Sequence, residues 1–138
     1  MSADLVLPMN YRHSIHFTLE EAREVLKEIL PVLGEISRLK GRLDLSGYDI
    51  RGHHFFAGMG TNGTKPYPEE VHQLIENFRA LSSKGVLVKD MNRGLIDFPS
   101  IRTNGDEVYL CYVLGEHDIE YWHHIEDGFA GRQPVSSL

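Results

Sequence analysis

Residues 95–125, "LIDFPSIRTNGDEVYLCYVLGEHDIEYWHHI", decide the fold. Three runs rich in Val, Ile, Leu and Tyr are separated by two turn signals, "TNGD" (103–106) and "GEHD" (115–118). This pattern predicts an antiparallel meander. Asn104-Gly105 is the strongest short hairpin signal, because both residues tolerate positive φ. Read as a two-residue turn, it sets Arg102 opposite Glu107, Ile101 opposite Val108 and Asp97 opposite Tyr112. The second turn sets Leu114 opposite Ile119, Tyr112 opposite Tyr121 and Leu110 opposite His123. Side chains alternate faces along a strand. Asp97, Tyr112, Tyr121 and His123 are therefore expected on one face, with Cys111 and Trp122 on the other. Strand spacing then holds Asp97 and His123 roughly 10 Å apart, with the two tyrosines between them. A short helix over 118–126 competes with the last strand; the β-rich context favours the strand.

The sequence before this stretch adds one short strand, "VLVK" (86–89), and a turn, "MNRG". Further back the period changes. Residues 18–43 space Leu19, Ala22, Leu26, Ile29, Leu33, Ile36 and Leu43 by threes and fours, with Lys40 breaking the seam. That is an amphipathic helix. Thr18 and Glu21 make a capping box at its start, and Pro31 is expected to kink it by freeing the carbonyl of Lys27. A second helix is expected over 68–84, with Pro68 at its start and Gly85 as its left-handed stop. Residues 44–67 are rich in Gly and Pro and read as a long loop. Residues 86–125 carry the antiparallel strands, and 126–138 are a tail. The predicted class is α+β: a helical hairpin packed on a C-terminal antiparallel meander, with 1–138 as a single domain. Both faces of the sheet are apolar, so both need cover.

Composition narrows the function. Twenty acids against 14 Lys and Arg give a net charge of −6, and the basic residues are scattered. Nucleic-acid binding needs a basic footprint and is not expected. No apolar run has the length of a membrane span, and the N-terminus lacks the pattern of a signal peptide. A single cysteine, Cys111, permits no internal disulfide, and a cytoplasmic location is expected. Cys111 reads as an ordinary buried cysteine.

The motifs "FTLEEA" (17–22), "GVLVKD" (85–90), "GLIDFP" (94–99), "YLCYVLGE" (109–116), "YWH" (121–123) and "GFAGRQP" (128–134) resemble a bacterial family of uncharacterised small proteins, domain-of-unknown-function family 2203. The resemblance implies a shared fold. It implies no activity, cofactor or residue role, and whether the protein is an enzyme stays open.

Eight histidines bring metal binding into consideration. No H-E-x-x-H motif and no Cys/His zinc spacing is present. His13-x-x-His16 lies before the first helix and could bind metal only by chance of geometry, and the adjacent His53 and His54 read as surface residues. "GMGTNG" (58–63) matches G-x-G-x-x-G, but no βαβ unit surrounds it. His123 stands apart, on an apolar face with Asp97 and within reach of Glu116 or Glu126. Imidazole and carboxylates form a reasonable set for a divalent metal, so His123, Asp97 and Glu116 are the metal candidates. Lys89, Asp90, Asp97, Glu116, Tyr121, His123 and Arg132 are the candidates for binding a small anionic ligand, with Arg132 free to clamp an anion or pair with Asp97 or Glu116. The alternative is a structural or protein-interaction module whose polar cluster only specifies the fold. A first helix of about 39 Å outreaches a second of about 26 Å. A homodimer through the helix-one stripe or the Trp122 face is expected from that excess and from the two apolar sheet faces; the alternative is a monomer in which the 44–67 loop folds back as cover, with Phe55 and Phe56 as its apolar plugs.

Overall fold

The computed structural model describes residues 10–48 and 67–138. Helix α1 (Leu19–Leu45) starts at a complete capping box: Thr18 accepts from the Glu21 amide, and Glu21 accepts from the Thr18 amide. It runs through Pro31. Its inward seam is Ala22, Leu26, Ile29, Leu33, Ile36, Leu39 and Leu43, none more than 3% exposed. Leu39 continues the seam. Lys40, expected there, lies beside it and pairs with Asp44 at 2.6 Å. Helix α2 (Glu69–Lys84) follows Pro68 and ends at Gly85, whose φ of 91° is the left-handed stop. Of the loop expected over 44–67, residues 49–66 lie outside the described residues, as do His53, His54, Phe55, Phe56 and "GMGTNG".

Five antiparallel strands follow in sequential order: β1 (Leu87–Asp90), β2 (Leu95–Ile101), β3 (Glu107–Val113), β4 (Tyr121–His124) and β5 (Gln133–Pro134). The α+β arrangement and the strand at 121–124 are as the sequence predicts. The tail contributes β5 and two short 3₁₀ turns.

Both hairpin registers differ from expectation by one residue. Asp97 faces Cys111, and Ile101 faces Glu107. Cys111 faces Tyr121, and Tyr109 faces His123. A two-residue turn at Asn104-Gly105 needs positive φ at both positions. Gly105 has it (95°), but no non-glycine residue does among those described. Instead Gly105 donates its amide to Arg102 and Arg102 donates to Asp106. That is a three-residue loop with its glycine in the left-handed position, the other common hairpin solution. A slip of one exchanges the faces of a strand. Two successive slips cancel between β2 and β4 and leave only β3 reversed. Tyr112 therefore sits on the helix-packed face with Trp122, and Cys111 joins Asp97, Tyr121 and His123.

The helix-packed face places Ile96, Phe98, Val108, Leu110, Tyr112 and Trp122 in one core with the seams of both helices. The outer face is covered by chain ends instead of a helix. Residues 10–16 lie over one half, where Glu107 accepts from the Arg12 and His13 amides; Phe17, which donates its amide to Pro99, turns its ring onto Phe98 in the helix-side core. Phe129 and Arg132 cover the other half. The requirement for cover on both faces is thus met within the chain.

Candidate functional site

Asp97, Cys111 and His123 converge on the outer face. They stand on three neighbouring strands and are 2%, 0% and 4% exposed. One ligand-type atom from each lies within 4.8 Å of the others. His123 Nε2 is 3.1 and 3.2 Å from the two oxygens of Asp97. The separation of roughly 10 Å expected from strand spacing is therefore corrected. The contact is diagonal across the middle strand, where Cys111 faces Asp97 and Tyr109 faces His123, and the short Cys111 side chain leaves room for it. Tyr112, expected in that place, instead donates its hydroxyl to the Glu116 carbonyl.

The second ring nitrogen of His123 donates to its neighbour's carbonyl, His124 O, at 2.8 Å. Burial opposes charge on this imidazole. The Asp97 carboxylate, with further help from Cys111 and the His124 carbonyl, outweighs burial and pushes its pKa up to about 10. The geometry differs from a Cys-His-Asp relay. In a relay the carboxylate holds one nitrogen and leaves the other for the nucleophile. Here Asp97 and a backbone carbonyl occupy both.

The other sequence candidates fall into two places. Lys89 Nζ is 3.8 Å from Asp97 and 4.5 Å from the centre of the Tyr109 ring. Tyr109 in turn packs edge-on against His123. Glu116 lies apart from the triplet. It is held by Arg132 in a two-pronged pair (2.7 and 3.1 Å) and accepts from the Val113 amide. Burial opposes its charge, but Arg132 and that amide hold its carboxyl below the usual range. Arg132 also stacks on Tyr121 and Phe129 and approaches Cys111 Sγ at 3.8 Å, linking the two places. Asp90 ends β1, and its carboxylate accepts from the Asn92 and Arg93 amides of the following turn.

A cavity of about 120 Å³ opens beside the triplet, bounded also by Lys89, Asp127 and Phe129. Its size suits a few waters or a small ion. Sequence reading missed Cys111 and Tyr109 because both were assigned to the wrong face. The one signal that could have placed them was Gly105, read as the third residue of a three-residue loop.

The family described as "Uncharacterized conserved protein (DUF2203)" matches residues 16–135. The chain belongs to that family. No curated protein and no solved structure matches it. The matched span of the family contains Lys89, Asp97, Cys111, Glu116, His123 and Arg132, and leaves His13 outside. No helix among the described residues is long and apolar enough to cross a membrane.

Proposed function

We propose that this protein binds a divalent transition-metal ion through Asp97, Cys111 and His123. The observation that carries the reading is the buried convergence of carboxylate, thiol and imidazole beside an open cavity. Zinc suits that mixed set. With bonds of about 2.0–2.3 Å, its ligands stand roughly 3–4 Å apart, so the triplet needs only a small contraction. The Nδ1–H bond to a backbone carbonyl is the usual partner of a histidine that ligates through Nε2. Three protein ligands leave one position facing the cavity, the arrangement that admits water or a small ligand. Glu116, committed to Arg132, takes no part.

A second reading has a specific observation behind it. The short contact between His123 and Asp97, with the imidazole pKa raised to about 10, also describes a closed ion pair that stabilises the fold without any metal. Cobalt separates the two. Adding Co²⁺ to chelator-stripped protein is expected to give a sulfur-to-cobalt charge-transfer band saturating at one equivalent. Cys111→Ser removes the band, and His123→Ala weakens binding. Absence of the band in the wild type, with melting unchanged by cobalt or zinc, overturns the metal reading. In the ion-pair case His123→Ala costs about 1–3 kcal/mol by leaving a buried partner unpaired.

A further inference from the structure

A second and larger concavity lies on the far side of Lys89. It has a volume of about 510 Å³ and sits between the end of α2, the edge strand β1 and the pair formed by His13 and Tyr109. That is within the usual range for small-molecule clefts. Its floor is apolar, formed by Phe78, Val86 and Val88. Its polar side chains are Ser82 on α2 and, at one end, His13 and Tyr109, whose Nε2 and hydroxyl are 2.7 Å apart.

Lys89 supplies the charge at that end. The β1–β2 register breaks between Val88 and Asp90, so Lys89 is the extra residue of a bulge. A bulge re-aims a side chain, and here the ammonium comes to lie over the Tyr109 ring. Its nearest carboxylate, Asp97, is 3.8 Å away, beyond hydrogen-bond distance. The side chain is 39% exposed. An ammonium with three donors, lining the same cleft as these apolar side chains, fits a ligand that is anionic at one end and apolar along its body.

We propose that this cleft binds a small amphipathic carboxylate, its apolar body on Phe78, Val86 and Val88 and its carboxylate at Lys89. The cleft adjoins the Asp97–Cys111–His123 triplet, since Lys89 lines both cavities, but it does not depend on a metal there. The test uses chelator-stripped full-length protein, titrated with 4-phenylbutyrate and with its uncharged amide while backbone amide NMR shifts are followed. Saturable shifts are expected at Phe78, Val86 to Lys89 and Tyr109, with the carboxylate bound at least about tenfold more tightly than the amide. Lys89→Met removes that difference while leaving the spectrum otherwise folded. Phe78→Ala weakens both ligands. Equal binding of carboxylate and amide by the wild type overturns the proposal whatever the variants do. So does the absence of saturation at about 10 mM, well above the range of specific small-ligand affinities.

Discussion

His123 Nε2 stands 3.1 Å from Asp97 although strand β3 lies between their strands, and both converge on the short side chain of Cys111, the partner of Asp97 on β3. The contact therefore depends on the smallness of that residue. Cys111→Leu is expected to wedge the pair apart and to cost about 1–3 kcal/mol through overpacking. The His123 pKa, followed by NMR in metal-free protein, should fall toward its ordinary value of 6.5 in this variant. Cys111→Ala leaves the path open, so the pKa should stay well above 6.5. A raised pKa in Cys111→Leu would show that the contact does not need a small residue between the strands.

Metal-free protein should also lose stability at alkaline pH. The folded pKa of His123 is about 10, above the ordinary 6.5. The charged pair therefore contributes fully below pH 6.5, and its contribution is lost as pH rises through 10. Asp97→Asn is expected to cost about 1–3 kcal/mol near pH 6. The gap between wild type and variant in urea unfolding should shrink steadily from pH 6.5 to pH 10. A gap that stays constant across that window would remove the ion pair as its source.

The helices were legible because their signals are local. Thr18 and Glu21 cap α1 through residues three apart, and Gly85 stops α2 by its own φ. The meander was legible from turn positions alone. The facing of β3 was not, because Asn104-Gly105 suits a two-residue and a three-residue loop equally well, and the two differ by a whole face. Asp97 and His123 were still placed on one face, though not in contact, since one slip at each end of β3 restored the relation between β2 and β4. The cover over the outer face was beyond reach. Residues 10–17 carry no periodicity, and Glu107 organises them only once the sheet exists to present it.

Two glycines that close turns in this sheet should respond unequally to alanine. Gly94 and Gly105 both have positive φ, 66° and 95°. Around Gly105 an added Cβ meets nothing, so Gly105→Ala carries only the backbone cost of about 1–2 kcal/mol. At Gly94 the added carbon would lie 2.5 Å from Leu114 Cβ, and the β1–β2 turn must shift. Gly94→Ala should therefore be the more destabilising of the two in chemical denaturation. Equal losses would mean that the turn moves freely away from Leu114.

The N-terminal cover should detach when one carboxylate is altered. Glu107 accepts from the Arg12 amide at 2.8 Å and the His13 amide at 3.1 Å, and it contacts His16 Nε2 at 2.7 Å. Burial opposes its charge, but the Arg12 amide, His16 and the His13 amide together hold its pKa below the ordinary 4.5. Its contribution is thus present above pH 4.5 and lost as pH falls through the lowered folded value. Glu107→Gln offers one acceptor oxygen where the carboxylate offers two, so one of these donors must face an amide NH₂. Amide exchange at Arg12 and His13 should quicken by about tenfold or more, reflecting local opening. The Phe17 amide, bound to Pro99 at 2.8 Å, should keep its protection, because that bond does not involve Glu107. Faster exchange at Phe17 as well would mean that the cover opens as one piece. Unchanged exchange at Arg12 and His13 would mean that Glu107 does not hold it.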